Sequence, residues 1–204
     1  MNKRLKYIIL IGFALFVAVN AGISFFMYSQ NRQLPVDEQI LQNSVTAKLQ
    51  SIMQKQFETE GRHLAVNDKF TDSLMNYAKN NAVLILYIDR YSCSSCVDNA
   101  IADLLSLKDS IDSQNVLLIL SIEGDGKKEV ALLRNKIRNQ FNILAVEEGD
   151  IKLEGIPENL PVHFFVLDDR LMPFCIYFYA PEFPALNRSY LNTVYQRFLK
   201  KAAG

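Results

Sequence analysis

Apolar residues along this chain form three patterns: one unbroken run, several stripes at helical spacing, and short runs rich in β-branched and aromatic residues. The unbroken run covers residues 7–28, with Asn20 and Ser24 as its most polar members. About 20 apolar residues cross a bilayer as a helix, so this run predicts a transmembrane anchor. Stripes at spacings of three and four predict helices. Leu41, Val45, Leu49, Ile52, Met53 and Phe57 mark one from Pro35 to about Glu60, with Pro35, Asp37 and Glu38 as its start and Gly61 as its stop. Phe70, Leu74 and Tyr77 mark a helix over residues 68–80, and Val97, Ile101, Leu104 and Leu105 mark one beginning near Cys96. Val130, Leu133, Ile137 and Phe141 predict a helix over 127–141, and Leu186, Tyr190, Leu191, Val194 and Phe198 predict one over 181–201.

The short runs predict strands at 83–88, 116–122, 162–167 and 171–179, with a shorter edge piece at 143–146. Asp168-Asp169-Arg170 joins the last two long runs as a hairpin turn. These runs are apolar on both faces, which requires a layer of helices on each side of the sheet. Residues 110–115 and 147–159 read as turns. Glu123-Gly124-Asp125-Gly126 is also a plain turn, because its spacing fits neither a phosphate loop nor a calcium loop.

Charge settles the orientation of the first segment. Lys3, Arg4 and Lys6 precede the apolar run and only Arg32 follows it closely, so the N-terminus is expected in the cytoplasm and the rest outside it. Val19 and Ala21 before Gly22 offer a cleavage site, but residues 23–28 carry the hydrophobic run past it. Signal-peptide cores are about 7–15 residues long, so an uncleaved anchor is favoured. No cysteine near the end of the run supports lipid attachment. Either way the remainder is exported, to a compartment where disulfides persist. The chain thus divides into a cytoplasmic tip and anchor at 1–29, a helical linker at 30–67 and a folded domain at 68–204. The linker helix reads as packing on its own domain; the alternative, a self-association stalk, is interrupted at Lys48. Lysines and arginines number 22, as do aspartates and glutamates, which argues against nucleic acid as a main partner.

Among 204 residues there are three cysteines: Cys93 and Cys96 in Cys-Ser-Ser-Cys, and Cys175 within the last strand. The first two stand where the strand 83–88 ends and a helix begins. Three residues apart in a first helical turn, their side chains share a face. Partial positive charge and unpaired N–H groups at a helix N-terminus favour thiolate, the nucleophilic form. Cys93, nearer the terminus, is expected to attack, and Cys96 to resolve the mixed disulfide. A purely structural disulfide across so short a loop contributes only roughly 2 kcal/mol on the chain-entropy model. A zinc site would need a second cysteine or histidine pair, and none follows at ligand spacing. Cys175 reads as a small buried hydrophobe.

The order of elements and the placement of Cys93-Ser94-Ser95-Cys96 resemble the thioredoxin family, over roughly residues 68–201. With the leading anchor, the chain is similar to membrane-tethered periplasmic thioredoxin-like proteins of Gram-negative bacteria. The resemblance implies an α/β, thioredoxin-like three-layer α/β/α sandwich with a mixed central sheet, preceded by one transmembrane helix and a helical linker. It also implies a cis proline facing the cysteines. Pro161, directly before the strand 162–167, matches that position better than Pro157, so the Leu160–Pro161 bond is expected to be cis and the Leu160 backbone to pair with substrate. The chain departs from the family in lacking any tryptophan; Ser92 stands where one usually precedes the first cysteine. Tyr87 replaces the buried acid usual six residues before it. Asp89 is the nearest substitute in sequence, with the same facing on the strand.

The expected function is that of a membrane-anchored thiol–disulfide oxidoreductase acting on exported protein thiols or disulfides through Cys93 and Cys96. Leu160 and Pro161 would shape the substrate groove. Inner-membrane anchoring through residues 7–28 would leave the C-terminal domain in the periplasm. No metal or cofactor is assigned. Two alternatives stand beside it. One is a non-catalytic thioredoxin-like binding module. The other is copper delivery by His163 with Cys93 and Cys96, since soft thiolates select Cu(I).

Overall fold

A computed structural model describes residues 36–59, 61–79, 82–107, 109–155 and 162–200, with side chains from residue 44 onward. The predicted anchor at 7–28 and the Leu160–Pro161 pair lie outside the described residues. Among the described residues, no helix is long and apolar enough to cross a membrane. Internal packing divides the chain after Ser51, within helix α1 (Val36–Thr59). In the first unit, Val45 is exposed and Leu49 half-buried.

The second unit holds the remaining elements. They are β1 (Leu64–Val66), α2 (Asp68–Ala78), β2 (Val83–Ile88), α3 (Ser94–Leu105), β3 (Val116–Ile122), α4 (Lys127–Lys136), β4 (Asn142–Glu147), β5 (Ile151–Leu153), β6 (Val162–Leu167), β7 (Pro173–Phe178) and α5 (Pro184–Val194). Five strands form a mixed sheet in the order β4-β3-β2-β6-β7. β2 lies at the centre, parallel to β3 from Leu84↔Val116 to Ile88↔Leu120 and antiparallel to β6 from Val83↔Leu167 to Ile88↔Val162. β1 and β5 pair antiparallel in a separate ribbon.

Alternation along the strands builds two cores. Leu84, Leu86 and Ile88 face the same side as Leu118 and Phe164, under Ile101 and Leu104 of α3, Leu133 of α4 and Leu191 of α5. Val83 and Ile85 face the other side with Leu117, Ile119 and Phe165, under Leu74 of α2, Ile52 of α1 and the ribbon residues Ile151 and Leu153. The crossovers from β2 to β3 and from β3 to β4 step outward in one direction, so a constant crossover hand puts α3 and α4 on one face. Helices therefore flank the sheet, as the two-faced hydrophobic runs require.

The strands 83–88, 116–122 and 162–167 fall where hydropathy predicts them, and the edge piece at 143–146 is β4. Three differences have physical reasons. The helix over 127–141 stops at Lys136, where Arg138 and Asn139 turn to positive φ and Asn139 N–H donates to Arg134 O at 3.0 Å. Ile137 and Phe141 are nevertheless buried, so apolar spacing continued where the helix did not. The last helix begins at Pro184, whose fixed φ suits the first helical turn, and ends in a π-helical turn at Tyr195–Leu199. Leu186, expected inward, is exposed. The ribbon strands β1 and β5 are three residues each, too short for periodicity to reveal.

Candidate functional site

β2 delivers the cysteines through a tight turn. The Asp89 carboxylate accepts the Tyr91 N–H at 2.8 Å, and the Asp89 carbonyl accepts the Ser92 N–H at 3.0 Å. The Arg90 guanidinium stacks 4.4 Å from the Tyr91 ring centre and pairs with Glu123 at 3.3 Å and Glu148 at 3.2 Å. These contacts pin the end of β2 to the loops after β3 and β4.

Cys93 then caps α3. Its backbone is extended (φ −66, ψ 137) and its Sγ accepts the Cys96 N–H at 3.1 Å, the role an N-cap oxygen ordinarily plays. The Ser95 hydroxyl lies 3.6 Å from the same sulfur. Cys93 and Cys96 form a disulfide with their Cα atoms 5.3 Å apart. Cys93, Ser94 and Ser95 are exposed, whereas Cys96 is half-buried and packs on the α3-side core. One sulfur therefore faces solvent at a helix N-terminus and the other is screened behind it. An N–H donor and the helix dipole at Cys93 favour its thiolate once the bond is reduced.

The helix bearing the cysteines is anchored by a buried acid about two turns beyond Cys96. Asp103 Oδ2 accepts the Tyr179 hydroxyl at 2.9 Å and Oδ1 accepts Arg188 Nε–H at 3.3 Å. Burial first, and then Asp103, hold the Tyr179 phenol well above its usual pKa, so it stays a donor. Beside it the Tyr177 hydroxyl donates to Asn187 Oδ1 at 2.6 Å, and the Asn187 amide donates to the Ala180 carbonyl at 2.9 Å. None of these residues was legible as a set from sequence, because the network joins α3 to β7 and α5.

Tyr87, six residues before Cys93, is half-buried on the sheet face opposite α3 and stacks on His163 at 4.8 Å. Burial is the main reason its phenol is raised above its ordinary pKa, and the nearby Asp89 charge adds to this. Tyr87 is therefore a proton donor near neutral pH and not a base. Asp89, the substitute nearest in sequence, lies just beyond the end of β2, and its carboxylate is engaged with the turn. His163 also stacks on Phe165 at 6.0 Å, among the residues of the far core. No group of three or more His, Cys, Asp or Glu that could hold a metal occurs among the described residues. The copper reading is corrected on that ground: strand alternation turns His163 away from the face that α3 covers. Cys175 is a half-buried thiol outside the disulfide. It sits at φ +52, where the β6–β7 register shifts.

One feature of the site escaped the sequence altogether. A cleft of about 410 Å³ opens beside the cysteine loop, between the ends of β2 and β3 and the helices α3 and α4. Its wall includes Ser92 and Ser94, the residues on either side of Cys93. Leu132, the clue on α4, reads in sequence as an ordinary surface leucine.

Fold and site together define an α/β protein with a Cys-x-x-Cys disulfide at the mouth of a helix, an arrangement compatible with a redox role. Compared with known proteins, the chain matches no family model, no curated protein and no solved structure.

Proposed function

We propose that this chain is a thioredoxin-like thiol–disulfide oxidoreductase, tethered to the inner membrane by residues 7–28 and acting on exported proteins. The observation that carries the reading is the exposed Cys93 sulfur at the α3 N-cap, bonded to a half-buried Cys96. The anchoring and the periplasmic side rest on the hydropathy and charge of the first 32 residues.

In the oxidised state a substrate thiolate attacks Cys93 Sγ. The Cys93–Cys96 bond breaks, and Cys96 leaves as thiolate with the electron pair. A second substrate thiolate then attacks the substrate sulfur of the mixed disulfide, releasing Cys93. The substrate loses two electrons and the protein becomes a dithiol. Run backwards, the same exchange reduces a substrate disulfide, and the relative potentials decide the direction. Val162 pairs with Ile88, so the chain enters β6 at the sheet end where β2 delivers the cysteines. That register supports Leu160 and Pro161 as the flank of the substrate groove.

The test is capture. Cys96→Ser leaves Cys93 unable to be released internally, so exported proteins are expected to accumulate on it as mixed disulfides that dithiothreitol removes. If nothing is captured and the wild-type pair also resists dithiothreitol, the reading fails.

A second reading, a non-catalytic thioredoxin-like binding module, is favoured by Tyr87, a proton-holding phenol where the family carries an acid. It predicts that Cys93→Ser leaves partner binding intact.

A further inference from the structure

The cleft beside Cys93 joins an apolar floor to an unbalanced rim. Ile88, Val97, Leu120, Ile122 and Leu133 line it, and Leu132 and Tyr91 stand at it with 63% and 66% of their surfaces exposed. Large apolar side chains left this open around one concavity mark a binding surface more often than scatter does. The volume lies within the range of roughly 300–1,000 Å³ typical of ligand pockets.

The charges around it do not cancel. Arg90 already faces Glu123 and Glu148, and Lys136 faces Asp98 at 2.5 Å. Asp89 and Glu129 also line the cleft and form no ion pair among the described residues. The rim therefore carries more carboxylate than cation. An occupant with an apolar group and a neighbouring positive charge complements both parts. An anionic or wholly polar occupant complements neither.

We propose that this cleft seats the substrate polypeptide next to its reacting cysteine. It would take a large apolar side chain one or two residues from that cysteine, with a following lysine or arginine held at Glu129 and Asp89. An extended chain advances about 3.3 Å per residue, so a cleft walled by Ser92 and Ser94 is within reach of a residue adjacent to a sulfur bonded at Cys93. The inference rests on the oxidoreductase reading and adds to it a substrate class: apolar–basic sequences beside the cysteine.

Peptides test it directly. The full-length protein is reduced with dithiothreitol, freed of it, and mixed with synthetic peptides whose cysteine carries 2-nitro-5-thiobenzoate as a mixed disulfide. Cys93 thiolate attacks the peptide sulfur and the coloured aromatic thiolate leaves. Cys96 thiolate then attacks Cys93 Sγ and releases the peptide thiolate. One peptide disulfide is reduced and one protein disulfide forms. A Cys-Leu-Arg peptide is expected to react about tenfold faster than Cys-Ala-Arg, from burial of the leucine. At low salt it is expected to react about threefold faster than Cys-Leu-Glu, a margin that fades as salt rises.

Leu132→Ser should abolish the first preference and Glu129→Lys should invert the second. Both sites are on the surface of α4, and circular dichroism checks that each variant is folded. Equal rates for all three peptides overturn this inference and leave the oxidoreductase reading standing. A leucine preference that survives Leu132→Ser, or a charge preference that survives Glu129→Lys, removes the cleft from that half of the recognition. No release from any peptide overturns the oxidoreductase reading and the inference with it.

Discussion

Gly126 joins β3 to α4 at φ +52, a conformation side chains rarely adopt. A Cβ there would lie 2.9 Å from both Cβ and Cγ2 of Ile122, a residue of the cleft. Gly126→Ala is therefore expected to cost about 1–3 kcal/mol in urea unfolding, from overpacking against a stiff β-branched side chain. Asp150 supplies the pH dependence. Lys69 Nζ at 2.8 Å is the main reason its carboxyl lies below the usual range, with the Glu147 N–H at 3.1 Å and the Asn67 amide at 3.0 Å adding to it. A depressed folded-state pKa stabilises the fold above the ordinary value of about 3.9, and that stabilisation is lost as pH falls through the folded value. Asp150→Asn should thus be less stable than wild type at pH 7, with the gap closing toward pH 2; a gap independent of pH would exclude this account. Cys93 and Cys96 were legible because their pairing is local, set by three residues of spacing and a strand-to-helix junction. Glu129 and Tyr91 were not, because their meaning depends on two helices the chain brings together only on folding.

Among the elements, α3 carries the cysteines at one end and its anchor, Asp103, toward the other. Asp103→Ala leaves the Tyr179 hydroxyl and the Arg188 guanidinium without this acceptor, at an expected cost of about 1–3 kcal/mol in urea unfolding. Asp103→Asn keeps an acceptor oxygen for Tyr179 and should lose less. Equal stability of wild type and both variants would mean the network does not hold the helix. Helix ends were the least legible part of the fold. Ile137 and Phe141 kept the apolar rhythm of α4 because both are buried, while Arg138 and Asn139 ended the helix without a glycine to signal it. Long strands were legible because burial on both faces makes their whole length apolar. β1 and β5 hide in turn-rich sequence because a ribbon strand needs only one or two inward residues.

For the molecule as a whole, the disulfide is a minor contributor to the fold. A loop of four residues constrains the unfolded chain by roughly 2 kcal/mol, while the two cores on either side of the sheet are built from other residues, with Cys96 only packed against one of them. The reduced protein is expected to stay folded, with a thermal midpoint lower by about 4–8 °C. Loss of cooperative unfolding on reduction would show that the pair is a staple. The far margin of the sheet has a different consequence. β7 is the last strand; it opens with Pro173, which offers no N–H, and it slips register at Cys175, where a non-glycine residue holds φ +52. A guest strand laid along that border would find its hydrogen-bonding ladder broken near the start, so on this side the domain resists lengthening its sheet with a neighbour.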